Sequence, residues 1–144
     1  MFKKAITSLA NLFQPRFTVT VAAVIVDKAG RVLLLKHRFR GGSGWGIPGG
    51  FLNKGEQPEA GLRRELREEI GLEIEFVELA FVRNVEKARQ VQIIYICRPA
   101  GDPGPASIEV ERYDWFQPDH LPRELSQSQR AIIERALSRR PGPR

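Results

Sequence analysis

The chain has 144 residues, 42% hydrophobic and 28% charged, a balance that excludes a disordered segment and suits one domain with a single core. Its formal net charge of +6 is compatible with an anionic substrate, nucleic acid or an acidic membrane surface and does not choose among them. Cys97 is the lone cysteine, so no internal disulfide is expected, and no apolar run is long enough to cross a bilayer. Aromatic residues are not interleaved with basic ones as a nucleic-acid stacking platform requires. The expectation is a cytoplasmic protein with no specific nucleic-acid partner.

Residues 1–16 place Phe2, Ala5, Ile6, Leu9, Leu12 and Phe13 near helical spacing, with Lys3 and Lys4 at the front. Two readings of this N-terminal amphipathic extension are open. It is a helix docked on its own domain or a partly ordered tail, or it is a surface helix touching a membrane or partner through residues 1–13. It lacks the continuous apolar region and cleavage site of a secretory signal.

Residues 17–26 alternate and then turn β-branched, which predicts a strand; residues 31–36 predict its hairpin partner across a turn at 27–30. The glycine-rich run within residues 41–50 predicts a loop whose backbone approaches a ligand closely. A helix follows, with Pro58 in its first turn and Gly71 as its C-terminal cap. Residues 72–82 and 90–97 predict strands around a charged turn at 84–89, residues 99–106 a loop, and residues 108–116 a last strand. Ser126 and Gln129 have capping-box spacing ahead of a helix that buries Ile132, Ile133 and Leu137. Residues 17–138 thus read as one layered α/β domain with a mixed sheet, followed by a basic tail at 139–144.

The chemistry concentrates on the central helix. Glu65, Glu68 and Glu69 stand at i, i+3 and i+4, mutually repulsive and near the negative end of the helix dipole. Leu62, Leu66 and Ile70 form the adjoining buried stripe, Arg63 and Arg67 point outward, and Arg64 is placed to hold Glu68. Gly61 costs about 1 kcal/mol against alanine, which predicts a close approach on that face. Two readings of this face are open: an ordinary acidic, arginine-interleaved surface helix, or carboxylates beside loop carbonyls that make a hard-oxygen site suited to Mg²⁺ or Mn²⁺ and to substitution at phosphorus. Arg38 and Arg40 flank the glycine run, where they meet substrate phosphates or remain solvated. Trp45, Phe51 and Tyr95 stack on a base or belong to the core. His37 and His120 read as surface or hinge residues, and Cys97 and Trp115 as core.

The spacing Gly50, five residues, Glu56, seven residues, then Arg64, Glu65, Leu66, Arg67, Glu68, Glu69, Ile70, Gly71, Leu72 resembles the Nudix box at every fixed position. The resemblance implies a Nudix-type α/β/α sandwich with a mixed β-sheet. It implies a Mg²⁺-dependent pyrophosphohydrolase that cleaves a nucleoside diphosphate linked to another moiety, such as ADP-ribose or a nucleotide sugar, and releases a nucleoside monophosphate. Carried over by position, Glu65 and Glu69 are the main metal ligands, and Glu68 is a further ligand or the base. The Gly49 carbonyl adds a ligand, Arg64 orients the glutamates, and Gly50, Glu56 and Gly71 are structural. A distant acid before a tryptophan serves as base or ligand in some members; Glu109 fits that place, with Glu111 second. Arg38, Arg40, Trp45 and Phe51 are the candidate substrate contacts. A house-cleaning (d)NTP pyrophosphatase, a non-catalytic nucleotide-sensing module and an enzyme of nucleotide-linked lipid precursors are the alternatives, and a homodimer is compatible with the family. Ala88 stands where many ADP-ribose hydrolases carry a proline, and the signatures of dinucleoside-polyphosphate and NADH hydrolases are not seen.

Overall fold

Strands with period-two burial form the centre of the molecule, in a computed structural model that describes residues 1–139. In chain order the elements are α1 (Phe2–Leu12), β1 (Thr18–Ile25), β2 (Val32–His37), β3 (Trp45–Gly46), β4 (Gly49–Phe51), α2 (Pro58–Ile70), β5 (Ile74–Val85), β6 (Gln90–Pro99), β7 (Val110–Phe116) and α3 (Gln127–Ser138), with one 3-10 turn at Glu86–Ala88. A mixed sheet runs β4-β1-β6-β5, in which only β1 and β6 are parallel. A smaller antiparallel sheet runs β3-β2-β7, and a bridge from Val26 to Val32 links the two.

Alternate residues of these strands feed two cores. On one face Val24, Val26, Leu34, Ile94 and Ile96 meet Ile132, Ile133 and Ala136 of α3. On the other, Val21, Ala23, Ile25, Leu33, Leu35 and Cys97 meet Leu62, Leu66 and Ile70 of α2. Both sheets contribute to both cores, so the layers are helix, sheet, helix, the expected α/β/α sandwich. Each fully buried Leu or Ile contributes about 1.5–3 kcal/mol, so the α2 stripe alone fixes the helix firmly against the sheet.

The hairpin of β1 with β2 does not form. Asp27 does close a tight turn, accepting from Ala29 N at 3.0 Å and Arg31 N at 2.8 Å. Beyond the Val26–Val32 bridge the strands part, because β4 and β6 already occupy both edges of β1. The glycine run is likewise not all loop: it contains β3 and β4, and β4 adds Gly49, Gly50 and Phe51 to the edge of the mixed sheet. The strand expected at 72–82 reaches Val85, and the last strand begins at Val110. Leu137 is only partly buried, while Ala136 takes the expected core place.

The N-terminal extension is helical but buries none of its residues, so it is not docked on the domain. Among the described residues no helix is long and apolar enough to cross a membrane. The basic tail expected at 139–144 lies, beyond Arg139, outside the described residues.

Candidate active site

Helix α2 starts without a side-chain cap, on Pro58, and ends on Gly71 in the left-handed conformation at φ 58°. Its last carbonyls are satisfied from a distant loop: Gly104 N donates to Ile70 O at 2.7 Å and Ser107 N to Glu69 O at 2.8 Å. That loop leads into Glu109, whose charge is felt at Glu69. Backbone pairing completes the approach, since Arg38 N donates to Glu109 O at 2.9 Å.

Arg64 is the hub of the acidic face. Its Nε and Nη2 donate to the two Glu56 carboxylate oxygens at 2.7 and 2.9 Å, a bidentate grip. Nη1 donates to Glu65 Oε1 at 2.9 Å and Glu68 Oε2 at 3.1 Å, and Nη2 also reaches Phe51 O at 3.0 Å. The Arg64 guanidinium, helped by the Asn53 N–H at 3.1 Å, holds the Glu56 carboxyl down at about 2. One arginine thereby ties loop, strand and helix together.

The glycines leave room for these carboxylates. A β-carbon on Gly50 would collide with the Glu65 carboxylate, and one on Gly61 would collide with Leu52 and crowd Glu56. Gly49, at φ 156°, passes so close to Val21 O that no side chain fits, and its N–H donates to Glu69 Oε2 at 3.3 Å.

Glu69 is the buried acid among the described residues, 6% exposed. Burial first, then the charge of Glu65, pushes its carboxyl up to about 8, against the opposing pull of the Gly49 N–H and Arg40. His37 Nε2 lies 3.6 Å from Glu69 Oε1, buried and without a hydrogen-bond partner. Burial and Arg40 hold that imidazole down at about 4, so at neutral pH the contact is not an ion pair. His37 therefore belongs to the acidic site and is not the surface or hinge residue expected. Its signal was the strand period, which carries the α2-facing series Leu33, Leu35 on to His37.

The description of the NUDIX domain matches residues 16–136. The chain belongs to the Nudix hydrolase family. It is 33% identical over 113 residues to a MutT-like protein of Streptomyces ambofaciens, covering 78% of this chain and 72% of that one. It is 28% identical to the NAD-capped RNA hydrolase NudC of Chromobacterium violaceum, covering 80% of this chain but only 43% of the relative. Among solved structures, a MutT NUDIX hydrolase of Burkholderia pseudomallei superposes with a TM-score of 0.74 at 31% identity, covering 83% of this chain and 98% of that one.

As in other Nudix hydrolases a divalent cation is implied, and the residues present fit one. Glu65 and Glu69 interact as neighbouring charges, Glu69 is buried, and the Glu65 carboxylate lies in a space that any side chain at position 50 would fill. An all-oxygen set of this kind suits Mg²⁺ or Mn²⁺. The cage is not complete beforehand: among the described residues no three acidic, histidine or cysteine side chains converge at ligating distance, and the Glu68 side chain is 61% exposed beside Arg64.

Beside the acids, on the α3 side of the sheet, lies a cleft of about 250 Å³ lined by Thr20, Arg40, Gly49, Phe51, Gln92 and Gln129, among others. Of the candidate substrate contacts it gathers Arg40 and Phe51. Arg38 is exposed elsewhere, and Trp45 is 6% exposed, packed edge-to-face on Phe116 at 5.3 Å. Tyr95 packs on the α2 side, opposite the cleft. The Gln residues were not singled out in the sequence. Gln90 and Gln92 follow the same period as buried Ile94, which was the available clue.

Proposed function

We propose that this chain is a Mg²⁺-dependent pyrophosphohydrolase that cleaves the diphosphate of a nucleoside diphosphate linked to another moiety and releases a nucleoside monophosphate. The observation that carries the reading is Glu69: a buried carboxylate crowded by Glu65, which only a cation can hold fully ionised at little cost. Glu65 and Glu69 would hold the metal, and the Gly49 carbonyl and Glu68 would complete the set. A bound Mg²⁺ supplies neutralisation of phosphate oxygens and a lowered pKa for the attacking water. Glu68 or Glu109 takes the proton of that water. Arg64 keeps Glu65 in place, and Arg40, whose side chain lines the cleft, meets a phosphate oxygen.

The cleft supports a finer reading of the base. Arg83 Nε donates to Gln92 Oε1 at 2.6 Å, Gln92 Nε2 to Gln90 Oε1 at 2.8 Å, and Ile47 N to Gln129 Oε1 at 2.9 Å. Because the first and last donors cannot accept, all three amides are oriented with their oxygens occupied. Each of these oxygens already takes one bond, so the amide N–H groups of Gln129 and Gln92 are the freest polar atoms the lining offers a ligand. Such N–H groups complement the O6/N7 edge of guanine or the O4 of uracil better than the N6/N7 edge of adenine, whose amino group is a donor. Phe51, 59% exposed, offers a ring to stack on.

Purified protein with Mg²⁺ tested against ADP-ribose, GDP- and UDP-sugars, NADH, dinucleoside polyphosphates and (d)NTPs checks both levels. Turnover of diphosphate-linked substrates, abolished in Glu69→Gln and strongly reduced in Glu68→Gln, is expected. The guanine or uracil compounds should exceed their adenine counterparts in kcat/KM by about tenfold. Gln129→Glu, which keeps the acceptor for Ile47 N and replaces the free donor, should narrow that ratio. Turnover confined to (d)NTPs would make the chain a house-cleaning pyrophosphatase instead, and saturable binding without product would make it a sensor.

A further inference from the structure

Helix α1 is eleven residues long and buries nothing. Isolated helices shorter than about 12–15 residues are marginal in water, and those in proteins are held by packing an apolar face. At about 100° per residue, Leu12, Ala5, Leu9, Phe2, Phe13, Ile6 and Ala10 fill a continuous arc of about 160°, and every polar residue of the helix falls outside it. Phe2 is 86% exposed, Ile6 65%, Leu9 64%, Leu12 66% and Phe13 84%. A face this regular, left uncovered by its own domain, is built to be covered by something else.

The charges say what. Lys3 and Lys4 sit at the positive end of the helix dipole, where cations are disfavoured. No acid lies in the first turn to offset them, and none occurs before Asp27, while Arg16 adds another positive charge. An amphipathic helix with only positive charge on its polar side, placed against its own dipole, is complementary to a broad anionic plane rather than to a mixed-charge protein groove. We propose that α1 is a peripheral membrane anchor that inserts its Phe2, Ile6, Leu9 and Phe13 edge into the interface of an anionic phospholipid bilayer. The anchor stays in the interfacial plane, since no described helix is long and apolar enough to span.

The tether is short. From Leu12 to Thr20, which lines the cleft, the chain extends at most about 29 Å. Binding of α1 therefore holds the cleft within a protein diameter of the bilayer surface. The proposal does not depend on the hydrolase reading.

The test is co-sedimentation of the full chain with phosphatidylcholine vesicles and with the same vesicles carrying phosphatidylglycerol, at low and at raised salt. Binding is expected to the anionic vesicles, to weaken with salt, and to fall by roughly 20- to 30-fold in Lys3→Gln/Lys4→Gln, about fivefold for each charge removed. Leu9→Glu should abolish it while hydrolysis of a soluble substrate is unchanged, because no residue of α1 touches the cleft or the acids. Equal partitioning with and without phosphatidylglycerol, or wild-type binding by Leu9→Glu, overturns the proposal. So does sedimentation as a dimer that Leu9→Glu dissociates with no vesicle binding, since the occupant of the face is then a second copy of the chain.

Discussion

Glu69 and His37 face each other across the acidic site with displaced pKa values of opposite sense. Glu69 rises from 4.5 to about 8 and His37 falls from 6.5 to about 4. The folded, metal-free protein thus retains a proton on Glu69 that the unfolded chain has lost, and lacks one on His37 that the unfolded chain carries below its usual value. Stability rises with pH where the unfolded state binds more protons, so His37 adds stability as pH rises from 4 to 6.5 and Glu69 removes it from 4.5 to 8. The two slopes oppose one another below pH 6.5; above it only that of Glu69 survives. Thermal unfolding with chelator should show a loss on the order of 1–2 kcal/mol between those limits. Excess Mg²⁺ should remove that loss, because the ion takes the ionised carboxylate. A chelated protein equally stable or more stable at the alkaline end contradicts the burial account of Glu69. At Arg64, lysine would keep the charge and lose the fork to Glu56. Arg64→Lys is expected to lower Mg²⁺ affinity or kcat by about 10- to 100-fold, as read from metal titrations and steady-state rates. The acids and Arg64 were legible in the sequence because helix spacing alone sets them on one face. His37 was not, since its partner is thirty-two residues away and on another element.

At the level of elements, the glycines around α2 divide into two kinds. Gly61 avoids a flexible Leu52 side chain and the end of Glu56, whereas Gly49 avoids the Val21 backbone and adopts a conformation that L residues rarely reach. Gly61→Ala gains about 1 kcal/mol of helix propensity against a repacking cost of about the same size, as Leu52 turns aside and Glu56 gives slightly. Its unfolding midpoint should move little. Gly49→Ala has no such relief and should destabilise by about 2–4 kcal/mol, displacing β4 and with it the Glu69 contact. A midpoint for Gly49→Ala within error of wild type would show that β4 yields more easily than its register implies. The same strand explains why part of the fold escaped a sequence reading. Glycine richness signalled close approach correctly, yet it hid β4, whose pairing with β1 is imposed by tertiary contact and not by local propensity. The β1–β2 hairpin was misread for the matching reason: the turn chemistry of Asp27 is local and real, but strand partners are decided by which edges other strands already occupy. Ser126 illustrates a signal that carried through in half, since its Oγ accepts from Gln129 N at 3.2 Å while the Gln129 side chain serves Ile47 in place of the reciprocal cap.

Across the whole molecule, the sandwich separates the two tasks the proposed reaction requires. The α2 face holds the acids in a rigid apolar bed of Leu62, Leu66 and Ile70, and the α3 face holds the cleft with its oriented amides. Strand β4 passes between them, so Gly49 and Gly50 border both. Family membership accounts for this arrangement, and the amide orientations and His37 are features read from this chain's own contacts. The most direct test of the account is Mg²⁺-dependent turnover of GDP-mannose by the wild-type chain and by Glu69→Gln, both shown folded by circular dichroism. Mg²⁺-dependent release of GMP by the wild type, with loss of at least about a thousandfold in kcat for Glu69→Gln, is the predicted result. Equal, chelator-resistant rates in the two proteins would contradict it.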